Sequence, residues 1–278
     1  MNRKERWQQR DFFIADLSRV AVKDDLATME HPFFALRAGD RRTKTYKNGE
    51  KNITVKPSCD GCATVHDKDV LIYAMSLIID NINKGRDAGR VIHFSAFDFM
   101  RVTDRGTSGK DYERLAAALR RLKGTIVQTN ISVKNKEEEE NFGLIERSKI
   151  TKHNETGVIM VSIELPTWLM RSIKEKRVLT INPDYFKLRK PLDRRIYELA
   201  RKHCGHQAKW KVSIPILYRK SGSSGTERKF RAAIKKIKGI PDYHLIFNEK
   251  TDTVTFYSVK NDTKARVTDL LATLRGCG

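Results

Sequence analysis

The chain has 278 residues and a formal net charge of +21, with 39% hydrophobic and 32% charged residues. That apolar content is enough for one large core or two ordinary ones and excludes a globally disordered chain. No apolar run reaches the roughly 18 residues that cross a bilayer, and so large a cationic surplus calls for a polyanion, nucleic acid first and an anionic surface second.

Met1 to Arg10 is charged and lacks the apolar core of a secretion signal, so the chain is expected in the cytoplasm. Residues 1–66 read as a mixed leader, with Phe12 to Leu17 as a short strand and Lys23-Asp24-Asp25 as a polar stretch. His31-Pro32-Phe33-Phe34 reads as a turn with an apolar anchor, and the basic run from Arg37 to Lys51 carries the hairpin signal Asn48-Gly49 before the strand Ile53-Thr54-Val55.

From Asp67 the pattern turns helical. Val70, Leu71, Ala74, Leu77, Ile78 and Ile82 recur at 3.6-residue spacing until Gly85. A strand over 91–94, a brief helix capped by Ser95, and the turn Arg105 to Gly109 lead into a helix over 110–122. Strands then follow at 125–131, 142–150 and 158–165, with a charged loop at 134–141 and a turn at 154–157. The same order recurs with a helix from Pro191, a strand at 210–212, a brief helix from Ser213, a turn at 221–225 and a helix over 226–238. A hairpin at 243–247 and 253–259 closes the second set, and 263–275 reads as a terminal helix.

The repetition is the main functional clue. Gly-Thr-Ser-Gly precedes the helix at 110–122 and Gly-Ser-Ser-Gly precedes the helix at 226–238. Both helices bury Leu, Ile or Phe on one side and crowd cations on the other, which suits a helix lying in the DNA major groove. Helix, strand, helix, turn, helix and hairpin is the winged-helix order. The expectation is therefore an α/β (α+β) protein with two winged-helix domains in tandem, at 1–175 and 176–278, related as an internal repeat. The candidate DNA contacts are Arg105, Lys110, Arg114, Arg120 and Arg121 in the first copy, and Arg228, Lys229, Arg231, Lys235 and Lys236 in the second. Arginine grips guanine edges with two arms while lysine mostly meets phosphate, so the first helix is expected to read bases more and the second to hold backbone more. The run Glu137 to Glu140 is expected on a wing tip turned away from DNA.

Catalysis is not expected. No Gly-x-x-x-x-Gly-Lys-Ser/Thr loop is present, His203 and His206 are spaced too loosely for a nicking enzyme's metal motif, and no carboxylate cluster suggests a two-metal nuclease. Cys59-x-x-Cys62 with His66 has the spacing of half a zinc site, but the remaining ligands, Cys204 with His203 and His206, would have to come from the other domain. Loop and packing roles are expected for these cysteines, with no metal and no cofactor.

Blocks spread along the chain add a resemblance. They are Phe12 to Leu17, Lys23-Asp24-Asp25 through Met29 to Phe34, Asp67-Lys68-Asp69 with Ile72-Tyr73, Tyr112 to Leu115 with Leu119 and Leu122, and Phe142 to Ile145. The longest runs from Asp184 to Leu192 and on through Tyr197 to Gly205. With these the chain resembles the plasmid replication initiator protein A family. The resemblance implies a tandem winged-helix initiator that binds repeated duplex sites, called iterons, at a plasmid origin and helps to open them. It also implies recruitment of the host initiator and helicase, and a shift between an autorepressing homodimer and an origin-binding monomer. The alternative is a winged-helix transcription regulator with no direct role in replication.

Overall fold

In the computed structural model the described residues are 20–48, 51–86, 88–129, 139–205, 207–237 and 239–259. The expected strand at 12–17 and the expected helix at 263–275 lie outside them. The leader supplies β1 (Lys23–Asp25), α1 (Leu26–Glu30), β2 (Lys44–Asn48) and β3 (Lys51–Lys56). There follow α2 (Lys68–Asn83), β4 (Val91–Ser95), α3 (Ala96–Val102), α4 (Gly109–Gly124), β5 (Ile126–Thr129), β6 (Glu140–Gly143), β7 (Arg147–Lys152) and β8 (Ile159–Glu164). The remainder is α5 (Thr167–Lys174), β9 (Val178–Thr180), a 3-10 turn at Pro183–Lys187, α6 (Pro191–Cys204), β10 (Lys209–Ser213), α7 (Ile214–Ser221), α8 (Glu227–Lys235), β11 (Tyr243–Asn248) and β12 (Thr253–Ser258).

The molecule is mixed α/β, and its two halves share one plan. In the first, α2, β4, α3 and α4 are followed by the hairpin β7–β8, and the sheet order is β4-β8-β7. In the second, α6, β10, α7 and α8 are followed by the hairpin β11–β12, and the order is β10-β12-β11. In each, the strand between the first two helices pairs with the returning strand of the hairpin, Ile92 opposite Ile163 and Val212 opposite Val254. Apolar residues from both halves join in one buried core.

Between α4 and β7 the first half departs from that plan. β5 pairs with β3 and β6 in a four-stranded sheet ordered β2-β3-β5-β6, apart from the hairpin. Thr125 helps to fix it there, because its buried hydroxyl accepts the Ala63 N–H at 2.8 Å. Of the Glu run, Glu140 opens β6, while Glu137 and Glu138 lie outside the described residues; the hairpin turn is His153–Gly157, closed where Gly157 donates to the His153 carbonyl. The expectation of a wing-tip position is corrected for Glu140, which lies in the four-stranded sheet.

Lys23-Asp24-Asp25, expected only as a polar stretch, forms a strand whose two aspartates are fully buried. β1 pairs with β9, placing Lys23 opposite Thr180. Asp25 caps α1, its Oδ1 accepting the Thr28 N–H at 2.9 Å, and Asp24 is met by an ammonium. The Lys68 ammonium, only 1% exposed, donates to Asp24 Oδ2 at 2.7 Å and lies 3.1 Å from Glu198 Oε1. Tyr185 donates to that same Glu198 oxygen at 2.7 Å. Asp69 is gripped from both halves, by Arg105 at 2.8 Å and by Arg194 at 2.5 Å. Arg195 meets Glu198 at 3.0 Å and donates to the carbonyls of Thr28, Met29, Glu30 and Lys220, so it closes the end of α1 and the end of α7 at once. A buried polar network thus crosses the junction of leader, first half and second half.

Burial, with Glu198 nearby, pushes the Asp24 carboxyl up from 3.8 to about 7 in spite of Lys68. Burial would raise Glu198 too, but Lys68 and Arg195 hold it below its ordinary value. The folded state therefore keeps a proton on Asp24 that the unfolded chain releases. Below about pH 4 both states carry it. Between about pH 4 and 7 the stability due to Asp24 falls as pH rises, and above about 7 the loss is complete. Denaturation midpoints of wild type and Asp24→Asn, measured from pH 5 to 8, should converge at the acid end and separate toward pH 8, with the variant gaining relative to wild type.

Gly222 locks the second half against the leader. It ends α7 in the left-handed region at φ +70°, and a Cβ there would lie 2.6 Å from Pro32 Cβ and 3.3 Å from the Tyr46 hydroxyl. The left-handed conformation alone costs a non-glycine residue about 1–2 kcal/mol, and the rigid proline ring adds overlap. Gly222→Ala should lower the free energy of unfolding by that much or more and so depress the thermal midpoint, whereas Gly225→Ala, which meets nothing within 4 Å, should change it far less.

Candidate nucleic-acid interface

α4 and α8 are built alike. Each packs one stripe inward, Leu115, Ala118, Leu119 and Leu122 in α4 and Phe230 and Ile234 in α8. Each starts from a hydroxyl N-cap. The Asp111 carboxylate accepts from the N–H and hydroxyl of Ser108 at 3.0 and 2.6 Å, and the Thr226 hydroxyl accepts from the Lys229 N–H at 3.3 Å. The caps pin the first turns and so direct the outer faces to solvent.

The ten cations picked from the sequence divide into three groups. Lys110, Arg228, Lys229 and Lys236 are exposed and have no acid partner among the described residues. Arg114, Arg120 and Lys235 are exposed but touch surface acids: Asp111 at 3.0 Å, Asp60 at 3.2 Å and Glu249 at 2.6 Å. Such surface pairs are weak, so Arg114, whose side chain is 73% exposed, can trade its partner for a phosphate. Arg105, Arg121 and Arg231 are held. Arg105 grips Asp69 and Arg121 makes a two-armed contact with Asp67 at 2.8 and 2.7 Å, just ahead of α2. Arg231 is clamped by Glu227 and by both oxygens of Asp252. That clamp keeps Asp252 below the usual carboxylate range. On an α8 wheel Arg228 and Lys235 lie opposite Phe230, with Lys229 and Lys236 on one flank.

Arg105 and Arg114 also meet at a cleft of about 270 Å³ beside the start of α4, with Arg189 and Arg194 arriving from the second half. Arg189 reaches across to Asp104, donating to its carbonyl at 2.9 Å and to its carboxylate at 2.5 Å. The start of α4 is therefore tied to the second half, a role that a bare Arg189-Lys190 pair does not signal in the sequence. The first hairpin adds exposed Lys149 and Lys152 on β7, which the sequence signals only as a basic strand beside a short turn. Lys235 also lies 4.8 Å from the Phe247 ring centre, so the second hairpin supports the end of α8.

Cys59 is exposed and Cys62 buried, and burial pushes the Cys62 thiol up. Among the described residues no three His, Cys, Asp or Glu side chains are grouped to hold a metal ion, and no helix is long and apolar enough to cross a membrane.

Comparison with known proteins places the chain among replication proteins. It is 43% identical over 255 residues to a protein of Wigglesworthia glossinidia brevipalpis named "Putative replication protein", covering 89% of this chain and 93% of that one. The model of the family Replication initiator protein A matches residues 23–245, and the chain belongs to that family. Its fold is similar to crystal structures of domains 2 and 3 of RctB, at TM-scores of 0.57 and 0.55 and 12% identity. These alignments cover 80% and 84% of this chain and 92% and 97% of the RctB chains.

Proposed function

We propose that the chain is a plasmid replication initiator that binds repeated double-stranded DNA sites at its origin through two winged helices, α4 and α8. The observation that carries this reading is the duplicated plan of helices and hairpin, each copy presenting a capped, cation-faced helix. Lys110 and Arg114 serve the first helix, and Arg228, Lys229, Lys235 and Lys236 the second. Arg105, Arg121 and Arg231 brace these helices through Asp69, Asp67 and Asp252. The Arg189 tie and the network around Lys68 and Asp69 hold the two units in one relation, as reading two adjacent segments of one duplex requires. Helices in successive major grooves sit roughly 10 bp apart, so the footprint is on the order of 20 bp.

The protein acts without catalysis of its own, in the cytoplasm, by helping to open the duplex and bringing in the host initiator and helicase. A homodimer serves as the autorepressing form. Footprinting on DNA flanking the coding region tests the reading. Protected short direct repeats are expected, and a uniform, sequence-independent ladder would refute it. A transcription regulator would give the same footprint, so the second arm is transformation of a host with an origin fragment with and without this protein. Maintenance that does not depend on the protein would leave only the regulator.

A further inference from the structure

A second recess, of about 320 Å³, lies away from the two cation-faced helices' outer stripes, between β2 of the leader sheet and α7. Thr45, Tyr46 and Lys47 all line it. Side chains alternate between faces of a strand, so three consecutive residues border one recess only where the strand's edge faces it. β2 is the outer strand of its sheet. Its pairing with β3 closes at Asn48 opposite Lys51. In an antiparallel pair the residues alternate between inward and outward backbone groups, which leaves Thr45 and Lys47 with N–H and C=O turned to the open edge.

Across from that edge stand Pro32 and Ile216, the latter 40% exposed although aliphatic. The rim is cationic. Lys47 and Arg219 have no acid partner among the described residues. The one acid in the recess, Glu30, is already engaged by Lys202, Lys220 and His203.

We propose that this recess is a docking site for an extended, acidic segment of a partner protein. The segment adds as a strand to β2 through Thr45 and Lys47, sets an aliphatic side chain against Ile216 and Pro32, and places carboxylates at Lys47 and Arg219. An open strand edge gives main-chain affinity and the flanking pocket gives side-chain selection. A duplex fits less well, because the recess joins an apolar floor to a strand edge, which has no use for a sugar–phosphate backbone. The inference does not rest on α4 or α8 contacting DNA.

The test uses the full chain, immobilised, and a phage-displayed random heptapeptide library. Enriched peptides should alternate acidic and aliphatic residues. A synthetic, fluorescein-labelled representative should bind wild type at least tenfold more tightly than Ile216→Asp or Thr45→Pro. Both sites are at the surface and an outer strand tolerates proline, so circular dichroism and thermal midpoints should match wild type. The pair Lys47→Glu and Arg219→Glu should reverse the preference toward basic peptides and supplies a folded variant if Thr45→Pro misfolds. No enrichment, or peptides that bind all variants equally, would overturn the proposal. So would displacement of the peptide by random-sequence duplex together with an equal loss of duplex binding in Ile216→Asp, which would assign the recess to nucleic acid.

Discussion

Lys68→Ala should lower the free energy of unfolding by about 3–5 kcal/mol, the usual effect of breaking a buried charge set by removing one partner. The Lys68 ammonium lies between the carboxylates of Asp24 and Glu198, and all three side chains are essentially inaccessible to water. Without it Asp24 and Glu198 face each other with only Arg195 on the Glu198 side, so Asp24 must hold its proton more tightly or draw in water. Urea denaturation followed by far-ultraviolet circular dichroism measures the change as a shift in midpoint. The double replacement Asp24→Asn and Lys68→Met should recover part of the loss, because Glu198 keeps Arg195 as its partner and no charge is orphaned. A loss for Lys68→Ala below about 1 kcal/mol, at the level of a surface pair, would mean that the network does not hold the halves together.

Arg228→Ala, Lys229→Ala and Lys236→Ala, combined, should weaken duplex binding on the order of 10²-fold near 0.15 M salt and flatten the plot of log affinity against log salt by about 2.7, since each lost phosphate contact removes roughly 0.9 from the slope. The three residues are exposed on α8 or at its end and have no acid partner among the described residues, so their removal should leave folding intact. Arg121→Ala is the contrast. Its guanidinium is only 20% exposed and is occupied by Asp67, so its loss should lower stability and leave the slope nearly unchanged. Equilibrium binding at four or more salt concentrations separates the two cases. A triple variant with the wild-type slope would remove α8 from the interface.

Much of the architecture is legible in the residues. The apolar stripes of α2, α4, α6 and α8 follow helical spacing, and turns or caps bracket them, so element type and order come through. Pairing between distant segments does not. Nothing local in Lys23-Asp24-Asp25 announces a buried strand, because its burial depends on Lys68, Glu198 and β9, all supplied by later parts of the chain. The same holds for β5, which follows α4 in the sequence yet joins β3. At the candidate interface the cations were legible but their partners were not. Asp67 lies 54 residues from Arg121, and Asp252 lies 21 residues from Arg231. Charge counting along one helix cannot tell a cation free to meet phosphate from one spent inside the fold.

The β1–β9 pairing has a consequence for synthesis. Lys23 and the Thr180 that it faces are 157 residues apart. At the ordinary elongation rate of about 5–20 residues per second, β1 leaves the ribosome roughly 8–30 s before its partner strand is made. Through that interval Asp24 has neither Glu198 nor the strand that covers it, so the opening segment must wait in water while the first helices collapse. The β1–β9 pairing is then a long-range closure that fastens an early ribbon over later material, and closures of such high contact order are slow. Pausing translation shortly before codon 178 should accordingly yield a nascent chain whose leader is cut readily by protease, and release past codon 204 should protect it.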